Sequence, residues 1–272
     1  MTVPSDPAAD RQFELPNLRD VGGLRSGDGA RVRRGLVFRS PALAGASPGD
    51  LDALARLPLR TVIDLRSAFE RERAPEAHLL PPGTTYLVAD VNGENVDQSP
   101  MWQLLHLHTV AERRAAFGNG RAEAAFEAKF RDFVTGAAPR RAFGQLFAAL
   151  AEPGRLPAVF HCSTGKDRTG WAAAVLLTYL GVPEDAVMED YLAGNASIRV
   201  LMQAAIDRHV AEGGHPDDLD ALVEVRPSYL RAGLDEVGAQ YGSMARYVEV
   251  GLGLGRSGGE RLRATMLAPA AG

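Results

Sequence analysis

The sequence predicts an α/β fold with a central, mainly parallel sheet flanked by helices, and three observations carry that expectation. Short apolar, β-branched runs recur as "GLVFRS" (35–40), "LRTVIDL" (59–65), "TTYLVA" (84–89) and "LPAVF" (156–160). Helix-forming segments lie between them, with connections too long for hairpins, which is the pattern of parallel strands joined by crossovers. The continuously apolar centre of "TVIDL" suits a strand buried on both faces.

The elements can be justified in order. Residues 1–10 and 268–272 lack periodicity and are rich in Pro, Ala, Gly or Asp, so they are expected as flexible termini around a single domain spanning 11–267. "PNLRDVGGLRSGDGARVRRG" is dense in glycine and reads as a series of turns ahead of the first clear strand. Ser47, Pro48 and Asp50 mark a helix start over 48–56: a hydroxyl cap, Pro in the first turn and an acid near the positive helix end. A long insertion separates the third run from the fourth. Within it, Met101, Leu104, Leu105 and His108 repeat at helical spacing, as do Ala122, Phe126, Lys129, Phe130 and Phe133, with "GNG" between the two groups. Two amphipathic helices over 101–136 suit a lid over a site, and extra helices padding the core are the plainer alternative. After "WAAAVLLTYLG" the pattern is helical almost to the end, a helical C-terminal half.

Composition narrows the classes. Among 272 residues, 30 Lys+Arg against 34 Asp+Glu leave a net charge of −4, which gives no reason to expect nucleic acid as a partner. The start has no basic segment followed by an apolar core, and the most apolar run, 171–182, is too short to span a bilayer. The expectation is a soluble cytoplasmic protein with no transmembrane segment, signal-peptide-independent secretion and oligomeric state left open. The single cysteine, Cys162, excludes an internal disulfide framework and a thiolate zinc cluster.

That cysteine opens the chemistry. "HCSTGKDRTG" (161–170) lies between an apolar strand and an apolar helix, and Cys162 and Arg168 enclose five residues. A loop in that place can turn the backbone N–H groups of Ser163, Thr164, Gly165 and Lys166 inward, and the following helix adds its positive end. Arg168 offers a two-pronged grip on phosphate oxygens. The same field favours the thiolate form of a cysteine at its centre. A phosphate ester bound there presents its phosphorus to Cys162, and attack gives a phosphocysteine that water hydrolyses. Thr169 can hydrogen-bond the sulfur as a leaving group, and His161 is expected to fix the loop rather than act as a base. Gly165 and Gly170 allow a tight turn and close helix packing. No metal or cofactor is required. A lone cysteine is usually a small buried hydrophobe, but packing does not account for the charged continuation here. His78, His106, His108, His209 and His215 stand at no useful metal-ligand spacing.

"HCSTGKDRTG", "NLRDVGG", "DYLAGN" and "YLRAGLDEV...YGSMARYVEVGLGL" together resemble the atypical bacterial tyrosine and lipid phosphatases of the mycobacterial protein tyrosine phosphatase B type, over about residues 13–255. The resemblance implies one cysteine-phosphatase domain, no metal, and activity on phosphotyrosine, with phosphoserine, phosphothreonine and phosphoinositides as further substrates. It also implies that the acid for the leaving group is Asp167, inside the loop, since the chain has no W-P-D sequence. A bound phosphate dianion pushes a neighbouring carboxyl toward its protonated form, while Lys166 and Arg168 oppose this. The competing reading keeps Asp167 ionised, paired with Lys166 or with Arg19 of "NLRDVGG". Asp90, after "TTYLVA" at the expected C-terminal sheet edge, is the second candidate acid. Asp132 is a third, and Asp64 is expected to pair with Arg66. Lys166 as a second cation would suit a substrate carrying more than one phosphate; a solvated lysine is the bland alternative. Arg19 and Asp20 can support the loop from outside, although a glycine turn alone would explain the motif.

The expectation is therefore a cysteine-dependent phosphomonoesterase acting on phosphoproteins, with phosphoinositide or inositol phosphate as the alternative substrate. A rhodanese-type sulfurtransferase also uses a loop cysteine after a strand, but the Asp-Arg-Thr-Gly continuation argues against it. A silent phosphate-binding module would usually have lost Cys162 or Arg168.

Overall fold

The computed structural model describes residues 15–93, 103–104 and 106–269. Five strands form the central sheet: β1 (Arg19–Asp20), β3 (Val37–Ser40), β4 (Thr61–Asp64), β5 (Thr85–Val88) and β6 (Ala158–His161). Their spatial order is β1-β3-β6-β4-β5, all parallel except the β1 edge. The sheet is thus mainly parallel, as the apolar runs predict. Two-residue strands β1, β2 (Arg31–Val32) and β7 (Leu267–Ala268) are too short to leave a periodic signal. β2 and β7 pair antiparallel, so Ala268, expected in a loose terminus, is held by backbone bonds to the glycine-rich turns.

Strand alternation divides the core between the two sheet faces. Phe38, Val62 and Val159 face one way, and pack with Leu43 and Leu54 beneath helix α1 (Pro48–Arg56). The expected cap is present, with the Ser47 hydroxyl accepting from Asp50 N at 3.1 Å. Val37, Ile63 and Phe160 face the larger core, which is covered by the helices that follow β5. These include α3 (Val110–Phe117), α4 (Arg121–Thr135), α5 (Ala137–Leu150), α6 (Asp167–Tyr179), α7 (Glu184–Ala193), α8 (Asn195–Ala211), α9 (Asp220–Val223), α10 (Pro227–Tyr241) and α11 (Gly255–Met266). The short α2 (Ala68–Arg73) follows β4.

Of the 101–136 segment expected as a lid, Met101 and Leu105 lie outside the described residues. Its second helix, α4, is anchored in the core: Phe126, Phe130 and Phe133 are at most 2% exposed. Phe126 stacks on Tyr229 at 5.0 Å, and Phe130 meets Trp171 edge-on at 6.0 Å. Each such ring contributes about 2–3 kcal/mol of burial, which ties this face of α4 into the core. α3 is joined to the C-terminal helices by ion pairs, Arg113 to Glu212 and Arg114 to Asp218.

Candidate active site

The register places Ser40, Asp64 and His161 side by side at the C-terminal ends of β3, β4 and β6. Ligands of parallel sheets bind at that edge. The chain leaves β6 at Cys162, which is 2% exposed, and enters α6 at Asp167. Gly165 makes the reversal, with φ of +67°; a Cβ there would stand 2.8 Å from Ser40 C and O and Pro41 N. Gly170 lets α6 approach Tyr191, whose ring would be 3.0 Å from a Cβ.

The loop carbonyls are held from outside. Ala42 N donates to Ser163 O at 3.1 Å, and Asn17 Nδ2 and Arg39 Nη2 donate to Gly165 O at 2.9 and 3.1 Å. Among the described residues, no backbone or side-chain acceptor takes the N–H groups of residues 163–168. A loop with its carbonyls tied outward and its N–H groups unused is built to receive an anion. The hydroxyl of Thr169, itself fully buried, is also without a hydrogen-bond partner.

Arg168 faces Glu70 of α2 as a two-pronged pair, Nη1 to Oε2 at 2.8 Å and Nη2 to Oε1 at 2.7 Å. Burial works against both charges, and their pairing outweighs it: the Glu70 carboxyl is held well below its usual range and Arg168 is held charged. Glu70 Oε1 also accepts from the Ser163 hydroxyl, and Oε2 accepts from Ser67 N at 2.9 Å. One carboxylate therefore caps α2, fixes the loop and orients the guanidinium.

Asp167 stands in the first turn of α6, its side chain 19% exposed. Oδ2 is 3.7 Å from Lys166 Nζ, and Oδ1 has no hydrogen-bond partner. Burial pushes its carboxyl up, against Lys166, Arg168 and Lys129, which pull it down. Arg19 does not pair with Asp167. It binds Asp190, Nε to Oδ1 at 3.3 Å, and donates to Asn17 Oδ1, so it reaches the loop indirectly, through Asn17 and through Asp190 and Arg39.

Lys166 departs from both sequence expectations. It is 1% exposed, its ammonium donates to Leu222 O, and it lies 4.4 Å over the Phe126 ring. It is neither solvated nor free to grip a second phosphate, and burial pushes its pKa down. The cation brought toward the loop instead is Lys129 of α4, which acts electrostatically on Arg168, Asp167 and Glu70 and donates to Asn92 Oδ1 at 3.2 Å. Asp90 closes the turn after β5, its Oδ1 accepting from Asn92 N at 3.0 Å and Gly93 N at 2.8 Å, with Arg71 3.8 Å from Oδ2. No contact joins it to the 162–168 loop among the described residues. Asp132 is half-exposed beside Lys129.

His161 is fully buried beneath the loop. Its Nδ1 lies 3.2 Å from Cys162 O, and its Nε2 is 2.6 Å from Glu76 Oε1. Asp64, Glu76 and His161 are close enough to ligate a metal, but Arg66 fills the position of the cation, 2.7 Å from Asp64 Oδ2 and 3.2 Å from Glu76 Oε1. Asp64 pairs with Arg66 as expected.

Sequence reasoning missed Glu70, Glu76, Arg39, Asn17, Asp190 and Lys129 as members of this neighbourhood. Two had signals at hand: Asn17 lies in "NLRDVGG" and Asp190 in "DYLAGN". Comparison with known proteins agrees with the geometry. The model of the tyrosine phosphatase family matches residues 13–268. A Cupriavidus necator protein named as a tyrosine-protein phosphatase is 33% identical, over 90% of this chain and 88% of its own length. The triple specificity protein phosphatase PtpB of Mycobacterium tuberculosis is 28% identical, over 93% of this chain and 98% of its own. A tyrosine-protein phosphatase of Nostoc commune is 28% identical over 75% of this chain and 64% of its own. With this loop at the carboxyl edge of a mainly parallel sheet, and with relatives along almost its whole length, the chain belongs to the tyrosine phosphatase family and is a phosphoric monoester hydrolase.

Proposed function

We propose that the chain hydrolyses phosphotyrosine in proteins through a phosphocysteine intermediate formed on Cys162. One observation carries this reading: the only thiol of the chain stands at the base of a loop whose N–H groups are unused and whose Arg168 is held in place by Glu70. The thiolate sulfur attacks phosphorus, an S–P bond forms and the ester P–O bond breaks. The loop N–H groups and Arg168 hold the non-bridging oxygens where negative charge gathers. Asp167 gives its proton to the departing phenoxide, and burial, which raises its pKa, suits it to that role. Water then attacks phosphorus, its proton passes to Asp167, and the S–P bond breaks with the Thr169 hydroxyl donating to sulfur.

Phosphoserine and phosphothreonine are proposed as further substrates; the triple specificity in the name of the Mycobacterium tuberculosis relative supports the wider range. Phosphoinositides are the alternative class, supported by Lys129, a second cation close enough to act on Arg168 and Asp167.

The test compares the wild type with Cys162→Ser, Asp167→Asn and Asp90→Asn on aryl phosphates of graded leaving-group pKa, beside phosphotyrosine peptide and phosphoinositides. Cys162→Ser is expected to be inactive. Asp167→Asn should lose about 100-fold on poor leaving groups and little on good ones. A selective loss in Asp90→Asn instead would move the acid to Asp90.

A further inference from the structure

The glycine-rich turns ahead of β3 carry a charge that the reaction does not use. Residues 19–34 hold five arginines against two aspartates, a net of +3, which leaves −7 for the rest of a chain whose total is −4. Backbone pairing folds this stretch into a hairpin. Ser26 N donates to Ala30 O at 2.9 Å, Val32 N to Leu24 O at 2.9 Å and Gly23 N to Val32 O at 2.8 Å. β7 pairs along the other side of β2, with Arg31 opposite Ala268. Strand alternation then sorts the side chains: Val32 is fully buried, while Arg31 and Arg33 are exposed together on the outer face. Arg25 stands directly opposite Arg31 and is exposed as well.

Like charges placed directly opposite one another, about 5 Å apart at Cβ, destabilise a strand pair. Among the described residues, Arg25, Arg31 and Arg33 form no ion pair that would offset this. The acids of the same turns are engaged elsewhere: Asp20 accepts from Gly22 N and Gly35 N, each at 2.7 Å, and Asp28 accepts from the Ser26 hydroxyl and lies 4.0 Å from Arg263. Arg31 Nη1 donates to Gly23 O at 2.7 Å and Arg33 Nε to Leu267 O at 3.1 Å, which steadies both stems and leaves most of each donor fork to the solvent. The face is remote from the phosphate loop. Gly27 N, at the hairpin tip, donates to Gly181 O at 2.8 Å, beyond the C-terminal end of α6. The 13 residues of α6 separate that end from the loop by about 20 Å.

We propose that this arginine face docks the protein on an anionic membrane surface, its guanidinium groups taking the phosphates of lipid headgroups. Paired N–H donors fit phosphate oxygens, and each basic residue near an anionic leaflet adds to the attraction. A plane touches the molecule at this end alone, where the charge is positive. A nucleic acid long enough to engage all the arginines would run on against the negative remainder. None of the exposed large hydrophobic residues lies in 19–34, so the face has no ring to stack a base. With the loop at the far end of α6, the docked enzyme keeps its site open to phosphoproteins in solution.

The test is co-sedimentation of the full chain with vesicles of phosphatidylcholine alone, or of phosphatidylcholine and phosphatidylglycerol in about equal parts. The wild type should pellet with the mixed vesicles and not with phosphatidylcholine, and raising salt from about 0.1 M to about 1 M should release it. The triple variant Arg25→Gln, Arg31→Gln, Arg33→Gln should bind the mixed vesicles at least about tenfold more weakly. Its turnover of a soluble aryl phosphate should stay at the wild-type level, because none of the three residues touches the loop. Undiminished vesicle binding by that variant, or no binding by the wild type at low salt, overturns the proposal. Should the triple variant not fold, unchanged binding in each of the three single variants does so. Capture by polyglutamate without capture by vesicles would assign the face to an acidic protein partner and likewise overturn it. None of these outcomes depends on the role of Cys162.

Discussion

On its β1–β3 side the 162–168 loop is held by its carbonyl oxygens; on its α2 side it is held by its side chains. Asn17, Arg39 and the backbone of Ala42 take the carbonyls, and Asp190 stands behind them, binding Arg19 and Arg39 together. On the other side two carboxylates do the work, Glu70 on Arg168 and Ser163, and Glu76 on His161. The first arrangement fixes where the backbone N–H groups point. The second fixes where the charges sit. Shape and charge are therefore set by different parts of the fold, and substitutions can separate them.

Breaking the carbonyl side should cost the most stability. Asp190→Asn leaves the buried Arg39 and its neighbour Arg19 without a countercharge, and a loss of about 3 kcal/mol in a denaturant titration is expected. Burial has already lowered the Arg39 pKa to about 10, with Arg19 adding repulsion, so the guanidinium has little tolerance for losing its partner. Breaking the side-chain side should cost activity instead. Glu70→Gln removes the charge opposite Arg168, and kcat/KM on aryl phosphates should fall about 30-fold while the carbonyl contacts persist. If Asp190→Asn reduced activity without reducing stability, the division between the two sides would be wrong.

A smaller effect follows from pH. The Glu70 carboxyl is held below its usual value of 4.5, because Arg168, with Ser163 and the α2 cap, outweighs the burial that opposes its charge. A depressed folded-state pKa contributes stability above the ordinary carboxylate range and loses it as pH falls through and below that range. Thermal melts should therefore show wild type losing stability between about pH 5 and pH 3 more steeply than Glu70→Gln does. The smallest effect belongs to Lys166. Lys166→Met, which keeps the length of the buried stem, should change KM for a singly phosphorylated substrate less than about threefold. It should also move the alkaline limb of the rate profile to higher pH, since one of the cations pulling the Asp167 pKa down is gone.

The loop itself was legible because its parts are consecutive. Cys162, Asp167, Arg168 and Thr169 occupy one strand–loop–helix unit, and the full run "HCSTGKDRTG" between those flanks implies an anion site. The partners that make it work come from elsewhere in the chain. Glu70 stands in "SAFE", which reads as a helix start and serves as one, since its carboxylate accepts from Ser67 N. Nothing local indicates that the same oxygens meet Arg168. The direction of the Lys166 side chain is hidden for a related reason: side chains of a curled loop follow no period, and only the packing of α9 and α4 reveals that this one turns inward to Leu222 and Phe126. The longer strands were visible as apolar runs, whereas β1 and β2 are too short to show and are made by the turns around them. The α4 phenylalanines displayed a helical face, but the pattern was equally consistent with a cover and with a core.

The central claim is that Cys162 carries the phosphoryl group between the two steps. Mixing the enzyme with an aryl phosphate, quenching with acid during turnover and measuring peptide masses tests it directly. The account predicts one added phosphoryl group on the peptide containing Cys162, absent from Cys162→Ser, which should also be inactive. Undiminished turnover in Cys162→Ser, or phosphorylation confined to another residue, would contradict it.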